Sequence, residues 1–206
     1  MGRKLGTSDL HLGHTNIVKF TNRIEAMDRD GFIVPNELRV PYFNGTLSDE
    51  LRRKVTDIHD AWLVHTLYTQ IEDGDVVYHL GDLSFTKDKD KLKRFIDGLK
   101  GDWLFILGNH DNESHIREAC KGTRHKVLGH YHEVSINKTK VCLFHFPIAE
   151  WHQIHRGSWH LHGHLHGMKG HGDFILPDMA RRLDIGIDAH PSHRIFDLEE
   201  LVGEKA

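Results

Sequence analysis

Cysteine is scarce in this chain: Cys120 and Cys142 are the only two in 206 residues, and they form neither a CxxC pair nor a zinc spacing. That composition excludes a disulfide-stapled scaffold and a thiolate metal site. Two reduced, structural thiols fit a cytoplasmic protein. Long apolar runs are also lacking. None approaches the roughly 18 residues that would make a membrane span, and Met1-Gly2-Arg3-Lys4-Leu5 runs into Asp9 without forming an apolar signal core. A basic excess is missing too, since 27 Lys and Arg face 30 Asp and Glu for a formal charge of −3. Duplex nucleic acid is therefore not an expected partner, because phosphate contacts require a cationic footprint. The short run Arg52-Arg53-Lys54 reads as a solvated face. Repeats, low-complexity tracts and Pro/Gly/Ser-rich linkers are absent. The expectation is one domain over 1–206, with ordinary globular proportions of 38% apolar and 28% charged residues.

What the chain has in excess is histidine. There are 20, eight of them between His145 and His171, interior and interleaved rather than in a terminal run. Imidazole is the commonest metal ligand and acid–base group, so the excess points to a site.

Short β-rich runs alternate with polar residues and helical patterns. Arg3 to Ser8, Asp75 to Leu80, Asp102 to Leu107, Ser158 to Leu161 and Leu183 to Ile187 read as strands. Glu133 to Asn137 and Lys140 to Phe144 read as a hairpin. Ser48 followed by Asp49-Glu50 starts a helix through Ile71, and Lys87 to Leu99 forms another. Residues 22–47, punctuated by Gly31, Pro35, Pro41 and Gly45, read as a long irregular connection. It is either a flap near the site, burying Phe32, Ile33, Val34, Tyr42 and Phe43 there, or a segment packed behind the Ser48 helix.

The chemistry-bearing residues follow the strands. Asp9, His11, Asp82, Asn109, His145, His164 and His166 each fall where a strand ends. In α/β sheets these carboxyl ends converge and hold ligands. Mixed carboxylate, amide and imidazole donors suit manganese, iron or zinc rather than a soft thiolate site. Seven donors exceed the needs of one ion with an open position, but suffice for two if one carboxylate bridges. In Asp9-Leu10-His11 and His164-Leu165-His166, an extended chain would put both outer side chains on one side. His79 reads as a hydrogen-bonded core histidine, and Cys142 as a core side chain. His152, His155 and His160 read as rim or structural residues, and His171 as solvent-facing.

The ordered set Asp9-Leu10-His11, Gly81-Asp82, Gly108-Asn109-His110-Asp111, His145 and Gly163-His164-Leu165-His166 resembles the calcineurin-like metallophosphoesterase family. All five blocks are present, over most of the chain. The opening Ser8-Asp9-Leu10-His11-Leu12-Gly13-His14-Thr15-Asn16-Ile17 looks most like the small single-domain members of bacteria and their viruses. The resemblance implies a four-layer α/β/β/α sandwich with the site at one edge of two sheets. It implies two divalent ions per chain, with manganese first and iron, zinc or nickel as alternatives. One ion would take Asp9, His11, His166 and a bridging Asp82; the other would take Asp82, Asn109, His145 and His164. A hydroxide bridging the ions would attack phosphorus in line. His110 would stabilise charge or protonate the leaving oxygen, with Asp111 orienting its ring. His14, just after the first block, is expected to touch the substrate phosphate or leaving group, or else to cap the following turn.

The resemblance points to a metal-dependent phosphoric ester hydrolase. Gly81-Asp82 is followed by Leu83-Ser84-Phe85-Thr86, and the later block ends in Asp111. Both depart from the phosphoprotein-phosphatase branch. The expected substrate is a small phosphomonoester or a phosphodiester such as a cyclic nucleotide. A nuclease of the same family and a non-catalytic scaffold are the alternatives.

Overall fold

The computed structural model describes residues 2–168 and 181–203, so the reading of His171 lies outside the described residues. In chain order the elements are β1 (Lys4–Thr7), α1 (Ile17–Phe20), α2 (Arg23–Arg29), α3 (Asn36–Asn44), α4 (Asp49–Gln70), β2 (Val76–Leu80), α5 (Lys89–Asp97), β3 (Asp102–Ile106) and α6 (Glu113–Ala119). They continue with β4 (Lys126–Gly129), β5 (Tyr131–Ile136), β6 (Thr139–Phe144), a 3-10 helix (Ile154–Arg156), β7 (Trp159–His162), β8 (Arg181–Asp184), β9 (Phe196–Asp197) and α7 (Leu198–Gly203).

Two sheets result, flanked by helices in a four-layer α/β/β/α-like sandwich. The first has the order β4-β3-β2-β1-β9, the second β5-β6-β7-β8. In the first sheet β1 to β4 are mutually parallel, and β9 closes the edge antiparallel to β1. In the second, only the β5–β6 hairpin is antiparallel.

Alternation along the central strands sorts side chains between two cores. Val77, Trp103 and Phe105 join the helices, whereas Tyr78, Leu80 and Ile106 meet Val141, Leu143, Trp159 and Leu161 from the second sheet. The first sheet is thus buried on both faces, as its continuous apolar runs require. The outer side of the second sheet is closed by the segment before β7. Trp151 packs on the buried ring of His160, with ring centroids 5.4 Å apart. Cys120 and Cys142 are both buried free thiols.

Helix α4 begins where its cap predicts, and α5 begins at Lys89, two residues later than its apolar pattern suggests. Ser48 accepts a bond from the Leu51 amide, and Asp88 accepts from Asp90 and Lys91. The helix α4 buries Val55, His59, Trp62, Leu63, Thr66 and Leu67 along one stripe. No helix among the described residues is long and apolar enough to cross a membrane.

Residues 22–47 differ from their reading as irregular chain: they contain α2 and α3. Pro41 lies inside α3 and disguises it, since proline normally interrupts a helical pattern. The segment packs along α4. Asp30 accepts a bond from Trp62 Nε1 at 2.9 Å, and the Phe32 ring meets that of His65. Met27, Val34 and Tyr42 are buried, whereas Ile33 and Phe43 are exposed. Strands β4 and β9 lacked a legible pattern, being four and two residues long at the sheet edges. The last strand of the second sheet lies over Arg181–Asp184, earlier than the run ending at Ile187 suggests.

Candidate metal centre

Each candidate ligand leaves a strand at its carboxyl end, and the loops then continue pairing beyond the strands. The Asp9 amide bonds the Gly81 carbonyl at 2.9 Å, the His11 amide bonds that of Asp82 at 3.0 Å, and the Gly163 amide bonds that of His145 at 3.0 Å. The His164 amide donates to Asp9 Oδ2 at 3.0 Å, joining the second sheet to the first. Two groups of donor atoms converge as a result: Asp9, His11 and His166 in one, Asp82, His145 and His164 in the other. The donors within each group lie within 4.8 Å of one another, as a coordinated ion requires.

The local backbone is unusual. Asp9, His11, Asp82, His164 and His166 all have φ between 51° and 71°. Left-handed backbone at non-glycine residues is costly and clusters at functional sites. It also corrects the expectation that Asp9 with His11, and His164 with His166, pair across extended chain. Left-handed turns aim these side chains, not strand alternation. Two glycines make room for the carboxylates. A side chain at Gly108 would lie 2.3 Å from Asp82 Oδ1, and one at Gly163 would lie 2.3 Å from Asp9 Oδ2.

Hydrogen bonds select the ligand atoms. The Leu80 carbonyl lies 2.8 Å from His145 Nδ1, and Asp188 Oδ2 lies 2.7 Å from His166 Nδ1. Donation from Nδ1 leaves each Nε2 lone pair facing its group. His11 is 3% exposed and neither of its nitrogens has a hydrogen-bond partner. A buried imidazole left this way suits an absent electrophile, and mixed Asp/His donors fit a divalent transition ion. Asn109 is exposed, and its Oδ1 lies 3.0 Å from His145 Nε2.

Electrostatics follow from burial and pairing. Burial pushes His11 and His164 below the usual histidine range. It acts the same way on His145 and His166. There it is outweighed, by Asp82 and Asp9 for His145 and by Asp188 and Asp9 for His166, so both end raised. Burial would raise Asp9 and Asp82, but the surrounding imidazoles hold both below the carboxylate range.

The other expected site residues gather at the same edge. The His110 amide donates to Asp82 Oδ1 at 2.9 Å, and its ring packs on Phe85 with centroids 4.5 Å apart. The Asp111 carboxylate accepts from the amides of Asp82, Leu83 and Gly108 at 2.8 to 2.9 Å. These bonds clamp the loop carrying Asp82, in place of the expected bond to the His110 ring. His14 stacks on Phe85 at 4.1 Å and 14°. Burial, with the charges of His11 and His110 nearby, pushes it down to about 4. The following helix has no side-chain cap bond, and His14 Nδ1 is buried without a partner. His79 is fully buried and accepts from the Gly81 amide at 3.3 Å, as a core histidine should. His152 and His155 are exposed, and His160 is buried in the second sheet.

Sequence reasoning missed four residues here. Phe85 supports His14 and His110, and Phe146 meets the His145 and His164 rings at 5.0 and 4.7 Å. Asp188 holds His166, and Arg23 holds Asp188 as well as the Asp9 and Leu10 carbonyls. Asp188 could have been found, because it follows Ile185-Gly186-Ile187 just past a strand. Arg23 left no such signal.

No family model matches the chain. The uncharacterized protein MJ1445 of Methanocaldococcus jannaschii is 28% identical over 160 residues, 77% of this chain and 66% of that protein. This chain therefore spans just under two thirds of the archaeal relative. The Gene 66 protein of Mycobacterium phage L5 is 25% identical over 214 residues, covering 89% of this chain and 85% of the phage protein. Among solved structures, the protein of unknown function AQ665 from Aquifex aeolicus superposes with a TM-score of 0.61 at 16% identity, covering 99% of this chain and all of that one. That last likeness establishes a shared fold.

Proposed function

We propose that the chain is a dinuclear-metal phosphoesterase of the calcineurin-like type, hydrolysing a small phosphomonoester or phosphodiester, including nucleotide-type esters. One observation carries the reading. Asp82 Oδ2 lies 3.8 Å from His11 Nε2 and 3.5 Å from His145 Nε2, so a single carboxylate reaches both donor groups. Such a carboxylate suits two neighbouring ions rather than two independent ones. When bound, a pair of divalent ions supplies Lewis acidity toward phosphoryl oxygens and makes a water more acidic.

The chain's own residues supply the rest. Asp9, His11 and His166 would hold one ion; Asn109, His145 and His164 would hold the other, with Asp82 common to both. His110 stands at the mouth of the centre, where an imidazole can protonate a leaving oxygen or neutralise developing charge. His14 is the candidate contact for the substrate, and Asp111 keeps the Asp82 loop in place. Residues 22–47 belong with the same single domain and contribute Arg23 to the support of the centre.

The test is metal titration with elemental analysis, followed by assay against p-nitrophenyl phosphate, bis-p-nitrophenyl phosphate and cyclic nucleotides. Two ions per active chain, both lost in Asp82→Ala, are expected. A fully active protein holding one ion, or a two-ion protein inert toward all these esters, overturns the reading.

A further inference from the structure

At the opposite end of the second sheet, four cationic side chains surround one open concavity of about 350 Å³: Lys138, Lys140, Arg156 and Arg181. Lys138 lies in the β5–β6 turn, Lys140 near the start of β6, Arg156 at the end of the 3-10 helix, and Arg181 at the start of β8. Among the described residues, no aspartate or glutamate lines this space. In a chain of formal charge −3, such a local excess is not what composition predicts.

The partners of Lys138, Lys140 and Arg156 leave charge to spare. Lys140 lies 3.4 Å from Glu133, whose carboxylate is also 2.9 Å from His152. Arg181 stands over the Trp159 ring at 5.9 Å. Among the described residues, Lys138 and Arg156 have no carboxylate in ion-pair reach. Hydroxyls of Ser135 and Thr139 complete the wall as neutral donors. The rim backbone is also unusual: Lys138 and Gln153 have φ of 65° and 62°. Glycine is favoured at the turn position that Lys138 occupies, so a cation is held there against local preference.

Like charges gathered round a concavity repel one another, and a bound anion relieves that repulsion. An ordinary solvated face has its charges spread apart. Lys138, Lys140 and Arg156 together exceed what one phosphate group needs, and the Arg156 fork suits phosphate oxygens bidentately. The concavity is remote from the metal centre. Strand β6 runs from Thr139 here to Phe144, next to His145, and six residues of strand span about 20 Å.

We propose that this concavity binds a polyphosphate group, two or more linked phosphates, as a site separate from the metal centre. It anchors a ligand's phosphate chain without cleaving it, because the metal donors are a strand's length away.

The test is isothermal titration of inorganic tripolyphosphate into the full chain with EDTA present, so that the metal centre carries no ions. Saturable one-to-one binding is expected, weakening with salt. Lys138→Ala and Arg156→Ala should each weaken it about tenfold, as loss of a charge-assisted contact does. Circular dichroism verifies that these exposed substitutions leave the fold intact. Absence of saturable binding, or affinity in both variants equal to that of the unsubstituted chain, overturns the proposal. So does an oligothymidylate that binds through the same residues more tightly than tripolyphosphate, because the occupant is then a nucleic-acid backbone.

Discussion

Arg23 and Asp188, 165 positions apart, form a buried two-bond ion pair with Nε to Oδ1 at 2.8 Å and Nη2 to Oδ2 at 2.7 Å. Arg23 is fully buried, and the Asp188 side chain is 3% exposed. Burial alone would raise Asp188, but the Arg23 charge and the His166 bond hold it well below the carboxylate range. Arg23→Ala strands that charge, so a loss of about 3–5 kcal/mol is expected in urea unfolding. A loss under about 1 kcal/mol contradicts the assignment. Arg23→Lys should recover only part, because an ammonium cannot reproduce the fork. On the proposed metal binding, Asp188→Asn should weaken affinity by about 10–100-fold, mainly at the ion that His166 would hold. An unchanged titration curve would mean that Asp188 does not orient that ring.

The Phe85 ring sits between His14 and His110, at 4.1 and 4.5 Å. On the proposed activity, His110→Ala should keep both metals and slow turnover by about 10²–10⁴-fold, less for esters with good leaving groups. Phe85→Ala should reproduce part of this, selectively for poor leaving groups, with Phe85→Tyr restoring it. If Phe85→Ala slows good and poor leaving groups equally, the ring does not act through His110.

The His160 ring is buried between the Cys142 and Phe146 carbonyls, beside the rings of Trp151 and His162 and the charge of Arg182. Burial pushes it from 6.5 down to about 3. In that window the unfolded chain binds the proton more readily than the folded one. The stability contribution is therefore full above pH 6.5 and is lost as pH falls toward about 3. His160→Gln should flatten the acid limb of the urea-unfolding free energy between pH 4 and 6, by up to about 1.4 kcal/mol per pH unit. Parallel limbs in the two proteins would exclude this histidine as a source.

Replacing residues 26–44 with a short glycine-serine turn removes Met27, Val34 and Tyr42 from the core and uncovers Trp62 on α4. Large losses of buried apolar surface cost several kcal/mol. The expected outcome is a marked fall in thermal midpoint, and the comparison that matters is substrate ranking in whatever folded fraction remains. A fully stable deletion with a changed ranking would favour a flap over a structural brace.

The convergence of the donor residues is legible in the sequence. Asp9, Asp82, Asn109, His145 and His164 each follow a β-rich run, and a parallel sheet brings such ends together whatever its detailed register. Ser48 announced α4 because a cap is a local interaction within three residues. Tertiary structure alone decided that Asp82 reaches both His11 and His145, and that Asp111 holds backbone amides rather than the His110 ring. It also turned Asp9, His11, His164 and His166 into left-handed conformations that no periodicity encodes, and brought Arg23 under Asp188. Local pattern records how one segment meets water and apolar surface. A buried charge must instead find its partner wherever the topology delivers one, and for Arg23 that lay across the whole chain.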